Sequence, residues 1–206
     1  MKNNNKIFSA ACITLLMLAG MVSCKKSSYL EDGGVHNPHT PLSTYDYLKN
    51  QAYHDFDSTI MLIDHFNLKD SVNKAGTFFA PTDYAINGFM INNHLSSMQM
   101  LYDFVSSRLL TQYMFSQHIT LDNVTTDAVV YQNWASDTVL SAVRKVANTY
   151  PVYLTNSVPS FTYYTLQYVW VNDPVDIYLS CQTTGILTSS GTTLHVLVDN
   201  ALLRRL

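Results

Sequence analysis

Glycine is scarce in this chain, with 7 residues among 206, and none of them frames a phosphate-binding loop. Neither G-x-x-x-x-G-K-[ST] nor G-x-G-x-x-G occurs, which argues against a nucleotide-dependent enzyme. Basic residues are few and scattered, 12 Lys and Arg against 15 Asp and Glu. Without a basic stripe to neutralise phosphates, nucleic acid is not an expected partner. Cysteine is scarcer still. Of the three, Cys12 and Cys24 stand near the start, so Cys181 is left alone in the body of the chain and no internal disulfide is expected there. The fold must then be held by its apolar core, which a composition 47% hydrophobic and a single-domain length allow. Cys181 lies in no nucleophile motif and reads as a small buried residue.

A long apolar run is also missing. Ile7 to Val22 falls short of the roughly 20 residues that a spanning helix needs. It follows a short positive segment with Lys2 and Lys6, and it ends in Met21-Val22-Ser23-Cys24. That is the layout of a signal peptide, and the small residues before the thiol resemble a lipobox. The expectation is cleavage after residue 23, lipidation of Cys24, and a place at the outer membrane or cell surface. Residues 24–42, with Glu31-Asp32-Gly33-Gly34 and Pro38 to Pro41, are polar and rich in turn formers, as a tether would be. Loss of Lys2 and Lys6 makes the mature chain more acidic than the full chain's net charge of −3.

The folded part is expected from 43 to 206. Ser43 with Asp46 three residues later marks a helix start. Phe56, Ile60, Ile63 and Phe66 continue at helical spacing until Asn67 to Lys74 breaks the pattern. Thr77 to Ala80 is a short apolar strand that Pro81 stops, and Thr82 and Asp83 then open a helix carrying Ala85, Ile86 and Phe89. Met98, Leu101, Tyr102, Val105 and Leu109 predict one longer helix from Ser97 to Tyr113. Strand signals dominate afterwards, at Val129–Tyr131, Thr138–Leu140, Pro151–Leu154, Tyr164–Val171, Val175–Leu179 and Leu194–Val198. Helices first and strands later give an α+β architecture rather than an alternating parallel sheet.

Two segments resemble the boxes of fasciclin domains. Thr77-Phe78-Phe79-Ala80-Pro81-Thr82-Asp83-Tyr84-Ala85 is similar to the T-x-F-A-P-T-[DN]-x-A-F turn, with Ile86 in place of its last Phe. Gly185 to Leu197, with Gly191, His195 and the following Asp199, resembles I-x-x-x-N-G-x-x-H-x-[IL]-D-x-[VL]-L. There Ser190 replaces the Asn, one extra residue precedes His195, and Val198 separates Leu197 from Asp199. Tyr113-Met114 stands where the family carries Tyr-His, with His118 a few residues late. The resemblance implies a wedge-shaped β-sandwich with N-terminal helices packed on it, and adhesion or ligand contact rather than catalysis. The box residues Thr77, Phe79, Pro81, Thr82, Asp83, Gly191, His195 and Asp199 are then structural, His195 as a buried ring bonded to backbone.

No cofactor and no metal are expected. His36 and His39 are close in sequence but sit in the tether without further ligands, and no Gly-x-Ser-x-Gly elbow accompanies His195. Strand alternation places Tyr164, Leu166, Tyr168 and Trp170 on one face, with Phe161 and Tyr163 on the other. One face must be core; Trp170, Tyr168 and Tyr164 are candidates for stacking on a sugar or a protein only if theirs is the exposed one. Ser58, Ser71 and Thr138 each follow Asp and precede Thr or Val, a short pattern resembling O-glycosylation sites of Bacteroidetes-type envelope proteins. The expected function is a non-enzymatic envelope binding or adhesion module, contacting glycan or an envelope or host protein. The alternative is an accessory lipoprotein subunit of an outer-membrane nutrient (glycan) uptake assembly.

Overall fold

The computed structural model describes residues 38–135, 140–151, 160–171 and 178–204. The expected signal peptide, Cys24 and most of the tether lie outside the described residues, as do Thr138, the stretch after Pro151 and most of Val175–Leu179. Residues from Pro38 onward form one compact unit.

Helix α1 (Thr44–Lys49) begins at Ser43, whose hydroxyl accepts from the Asp46 amide and donates to its carboxylate. Helix α2 (Asp57–His65) buries Thr59, Ile60, Leu62 and Ile63. Asn67 then takes a left-handed conformation, φ 54°, which ends α2, but the polar stretch after it is not a loop. It forms α3 (Lys69–Lys74) around a single buried anchor, Val72, too few apolar positions to leave a periodic signal. Strand β1 (Thr77–Ala80) is buried throughout and leads into α4 (Asp83–Asn92), capped by Thr82.

The expected long helix from Ser97 is two pieces, α5 (Met98–Phe104) and α6 (Arg108–Thr111). Val105 is extended, and the Ser106 hydroxyl accepts from the Arg108 amide. A β-branched residue followed by two serines gives the chain side-chain bonds that compete with the helical ladder, so the apolar period continues while the helix does not.

Strands β2 (Met114–Phe115), β3 (Val129–Gln132), β4 (Leu140–Pro151), β5 (Ser160–Trp170), β6 (Leu179–Leu187) and β7 (Thr193–Leu197) complete the fold. The sheet order is β2-β1-β7-β6-β5-β4-β3, antiparallel except for the parallel pair β1 and β7. The sheet curls on itself. Phe79 of β1 and Tyr168 of β5 have ring centroids 5.8 Å apart, although three strand spacings in a flat sheet would separate their strands by about 14 Å. A bridge from Phe115 to Asn133, just past β3, brings the two ends of the order together. Inside lie Phe79, Phe115, Tyr113, Tyr168 and Trp170, edge-on or tilted to one another, each burial worth about 1.5–3 kcal/mol.

The last residues of the expected tether are not free of the fold. Leu187 donates to the Pro38 carbonyl, Thr40 donates to that of Leu187, and Ser189 donates to that of Leu42, so 38–42 runs along the end of β6. Gly76 marks another close approach, because a Cβ there would collide with the backbone of Ser116 and Gln117, which crosses over β1's entry. By contrast, Gly88 in α4 has open space where a Cβ would stand. Gly76→Ala is therefore expected to lose about 1–3 kcal/mol by overpacking, and Gly88→Ala to gain about 0.5–1 kcal/mol from helix propensity. Urea denaturation of the two variants beside the parent chain tests the pair; equal effects at both positions would contradict the crowding at Gly76.

Candidate functional site

Sequence reasoning singled out two boxes, and the structure places them side by side. Strand β1 pairs with β7 so that Thr77, Phe78, Phe79 and Ala80 stand next to Thr193, Leu194, His195 and Val196. Phe79 stacks on the His195 ring at 4.8 Å. Gly185 donates its N–H to His195 Nδ1 at 3.1 Å, and Nε2 lies 2.8 Å from the Ile119 carbonyl. An amide donor at Nδ1 leaves that nitrogen as the acceptor, so Nε2 carries the proton and donates to Ile119. Burial pushes the ring's pKa down to about 4 against a partial offset from the Ile119 bond. Both nitrogens are engaged by backbone, and neither is offered to a serine or a carboxylate.

Thr77 continues the same arrangement. Its hydroxyl donates to the Gln117 carbonyl and accepts from the Ile119 amide, both at 2.7 Å, which holds the 117–119 segment against His195. At the other end of β1 the turn Pro81-Thr82-Asp83 is bound to the start of α2. Thr59 donates to the Pro81 carbonyl, the Asp83 amide donates to Asp55, and the Asp83 carboxylate accepts from the Ser58 amide at 2.7 Å. Asp83 thus caps a helix other than its own, supplying the N-terminus of α2, where Phe56 has no capping oxygen. Partial burial raises the Asp83 pKa, and the Ser58 and Thr59 amides oppose the rise. Thr82 caps α4 by accepting from Ala85, and it donates to Asp199 at 3.0 Å, joining the first box to the end of the second. Gly191 sits exposed in the turn before β7 with φ 91°, a conformation that excludes most side chains.

Two polar clusters were not legible in advance. Thr44, Thr188 and Ser190 form a triangle of hydroxyls 2.9–3.0 Å apart, and Ser190 also accepts from the Thr44 amide. Ser190 stands where the fasciclin pattern has Asn. The second cluster surrounds buried Gln112, which accepts from Trp170 Nε1 at 2.8 Å and whose carbonyl accepts from the Tyr168 hydroxyl at 3.0 Å. Ser141 then bridges Tyr168 to Asn133.

That second cluster corrects one expectation. Tyr168 and Trp170, candidates for stacking on a ligand, are core residues with 0% and 5% exposure. Their polar ends are satisfied within the protein, so the whole side chain is spent there. Tyr164 shares their face of β5 but lies beyond the core and is 48% exposed. Tyr163, on the opposite face, is 52% exposed. Cys181 is buried with its thiol held protonated by desolvation. Met114 is buried in β2, and exposed His118 lies 3.2 Å from the Thr193 hydroxyl. Ser58 is half-buried in the first turn of α2, lining an open concavity of about 310 Å³ with Asp83, Tyr84 and Asn87. Ser71 is half-buried in α3.

A cleft of about 150 Å³ opens beside Thr82, with Gln51, Asp55, Gln182 and Thr183 in its wall. That is half the volume at which ligand pockets begin, about 300 Å³. Among the described residues no group of three or more His, Cys, Asp or Glu could hold a metal ion, and no helix is long and apolar enough to cross a membrane.

No family model matches the sequence, and no curated protein matches it. The fold has a counterpart among solved structures. A FAS1 domain pair from the insect cell adhesion molecule fasciclin I is similar with a TM-score of 0.51 at 12% identity, covering 80% of this chain and 52% of that one. The chain has a fasciclin-like fold. It spans about half the length of that solved structure, a domain pair.

The buried ring makes the fold sensitive to acid. An unfolded chain takes up the His195 proton near pH 6.5, whereas the folded one resists it down to about 4, so stability falls as pH drops through that window. The expected loss is about 3 kcal/mol between the two values. Urea midpoints from pH 7 to 4 should show a steeper decline for the parent chain than for His195→Gln; parallel curves would mean that the ring is not buried neutral.

Proposed function

We propose that this chain is a non-enzymatic adhesion or binding module of the cell envelope, carried at the outer membrane or cell surface on a lipid at Cys24. The observation that carries the reading is the use made of the two boxes. Every polar box residue whose bonds are described is committed to holding β1, β7 and the helix starts together. The fold likeness to a domain pair of an insect cell adhesion molecule supports the same conclusion. In this reading the curled sheet is the wedge-shaped sandwich of fasciclin domains, with β6 shared between its two layers. The N-terminal residues support the anchor through their signal-like layout and Met21-Val22-Ser23-Cys24. As a module of the Bacteroidetes lipoprotein type, it presents the domain to a glycan or to an envelope or host protein.

Two measurements test this. The natively expressed chain should incorporate an alkyne-labelled fatty acid and sediment with membranes, and Cys24→Ser should lose both properties; a parent chain that stays soluble and unlabelled would remove the anchor. Beads coated with the full chain should adhere to cells or envelope fragments more than beads coated with albumin do, and equal adherence would remove the adhesion reading. Capture of the chain within an outer-membrane uptake complex would favour the accessory-subunit alternative.

A further inference from the structure

The distal part of β4 and β5 differs from the rest of the molecule. Their pairing runs from Ser141–Trp170 to Pro151–Ser160, far beyond the four β4 residues paired with β3 and the two β5 residues paired with β6. Register sorts the side chains. Arg144, Val146 and Asn148 stand opposite Gln167, Thr165 and Tyr163 and share the face turned away from Leu166 and Tyr168.

That outer face is polar, ordered and aromatic at both ends. Arg144 gives Nε and Nη2 to the Gln167 carbonyl oxygen at 3.1 and 3.0 Å, and Gln167 donates onward to Ser180 at 3.2 Å. Asn148 donates to Thr165 at 2.9 Å. The Arg144 guanidinium lies 4.0 Å from the centre of the Tyr178 ring, which is 39% exposed, and Tyr163 stands half exposed at the far end. Tyr178 adjoins Leu179, the partner of Tyr168, so it is about six β5 residues from Tyr163, or roughly 20 Å.

Arg144 and Lys145 are the only charged residues of β4, β5 and β6, and register turns Lys145 to the opposite face, where it donates to the Leu121 carbonyl and lies over the Tyr164 ring, so Arg144 is the one charge these strands place on this face. One guanidinium set among fixed planar amides and hydroxyls, with a tyrosine toward either end, matches one ligand chemistry. Sugar rings present C–H faces to tyrosine and hydroxyl edges to amides, and a uronate or sulfate presents an anion to guanidinium. One cation is too few for a nucleic acid footprint.

We propose that the outer face of the β4–β5–β6 ribbon binds an acidic glycan, with Tyr163 and Tyr178 stacking on sugar rings and Arg144 taking the anionic group. Two of the five guanidinium N–H donors are used by Gln167, which fixes the plane of the fork and leaves its remaining donors for a carboxylate or sulfate. This rests on the binding-module reading and names its ligand class and residues.

Affinity electrophoresis of the full chain through polygalacturonate and through dextran sulfate tests it, with uncharged dextran as the control. Retardation is expected in at least one acidic polymer, weakening with salt, and not in dextran. Tyr163→Ala and Arg144→Gln should each weaken it about tenfold. Tyr53→Ala, which removes an 88% exposed ring from the α1–α2 connection, should leave it unchanged. Tyr163 is already half exposed, so its truncation leaves the core intact, and urea denaturation verifies that. Migration unaffected by either acidic polymer, equal retardation by dextran, or equal loss in Tyr53→Ala would overturn the proposal. So would a folded Tyr163→Ala that binds as the parent does, or a protein partner captured through Tyr163. If coated beads still adhere to envelope fragments while both acidic polymers fail, the ribbon proposal falls and the module reading stands; if adherence also fails, both fall.

Discussion

The parallel pairing of β1 with β7, locked by Phe79 against His195, is the constraint around which the fold closes. A neutral imidazole in the core loses its water and must regain both hydrogen bonds inside. It finds them on two separate segments, Gly185 in β6 and Ile119 in the 117–119 crossing. The first partner comes from the neighbouring strand of the β6–β7 pair, and the second from the segment that Thr77 of β1 holds in place. One ring therefore joins three stretches of chain far apart in sequence: β1, the 117–119 segment and the β6–β7 pair. The Phe79 ring covers one face of the imidazole and continues into the cluster of Phe115 and Tyr168, so the same contact that satisfies a polar group also fills the curl of the sheet.

Few charges take part in this closure. With 13% charged residues, the chain ties its elements with hydroxyls, amides and one buried ring. Thr82 joins a helix cap to Asp199, Asp83 lends its carboxylate to α2, and the Thr44, Thr188 and Ser190 knot fixes α1 to the turn before β7. Threonine suits such places because its methyl group packs while its hydroxyl bonds, and the side-chain entropy cost is small. The N-terminal helices are thus attached to the strand ends by short polar bonds, and their apolar faces share one core with the sheet.

What could be read from the residues follows from how local each signal is. Strand β1, the Thr82 cap and the Ser43 cap depend on neighbours within three or four positions, and they stand as the spacing predicts. Helix α3 was hidden because only Val72 is apolar at a buried position. The break at Val105 was hidden because hydrophobic period records which side faces the core, not whether the ladder is continuous. The length of β4 was hidden for a related reason, since its outer half leaves the core and carries no apolar alternation. Alternation in β5 was plain, but which ring on the inner face ran out of core depended on where the sheet curls, so Tyr168 and Tyr164 parted only in three dimensions. Gln112 and Ser190 gave no signal, as Tyr168 and Trp170 for the one and Thr44 for the other lie 56 or more positions away.

The curl also divides labour along one strand. Near Tyr168, β5 is covered on its inner face and closes the core; near Tyr163 the same ladder has no core left to cover. A side chain in the first region cannot change without disturbing Gln112, Ser141 and Phe79, whereas one in the second changes only what the surface offers. A residue carried on such an overhang, as Tyr163 is, gains the stiffness of a hydrogen-bonded ladder without being tied to the packing that stabilises the domain. That separation lets the β1–β7 lock remain fixed while the ribbon's outer face is free to suit a ligand.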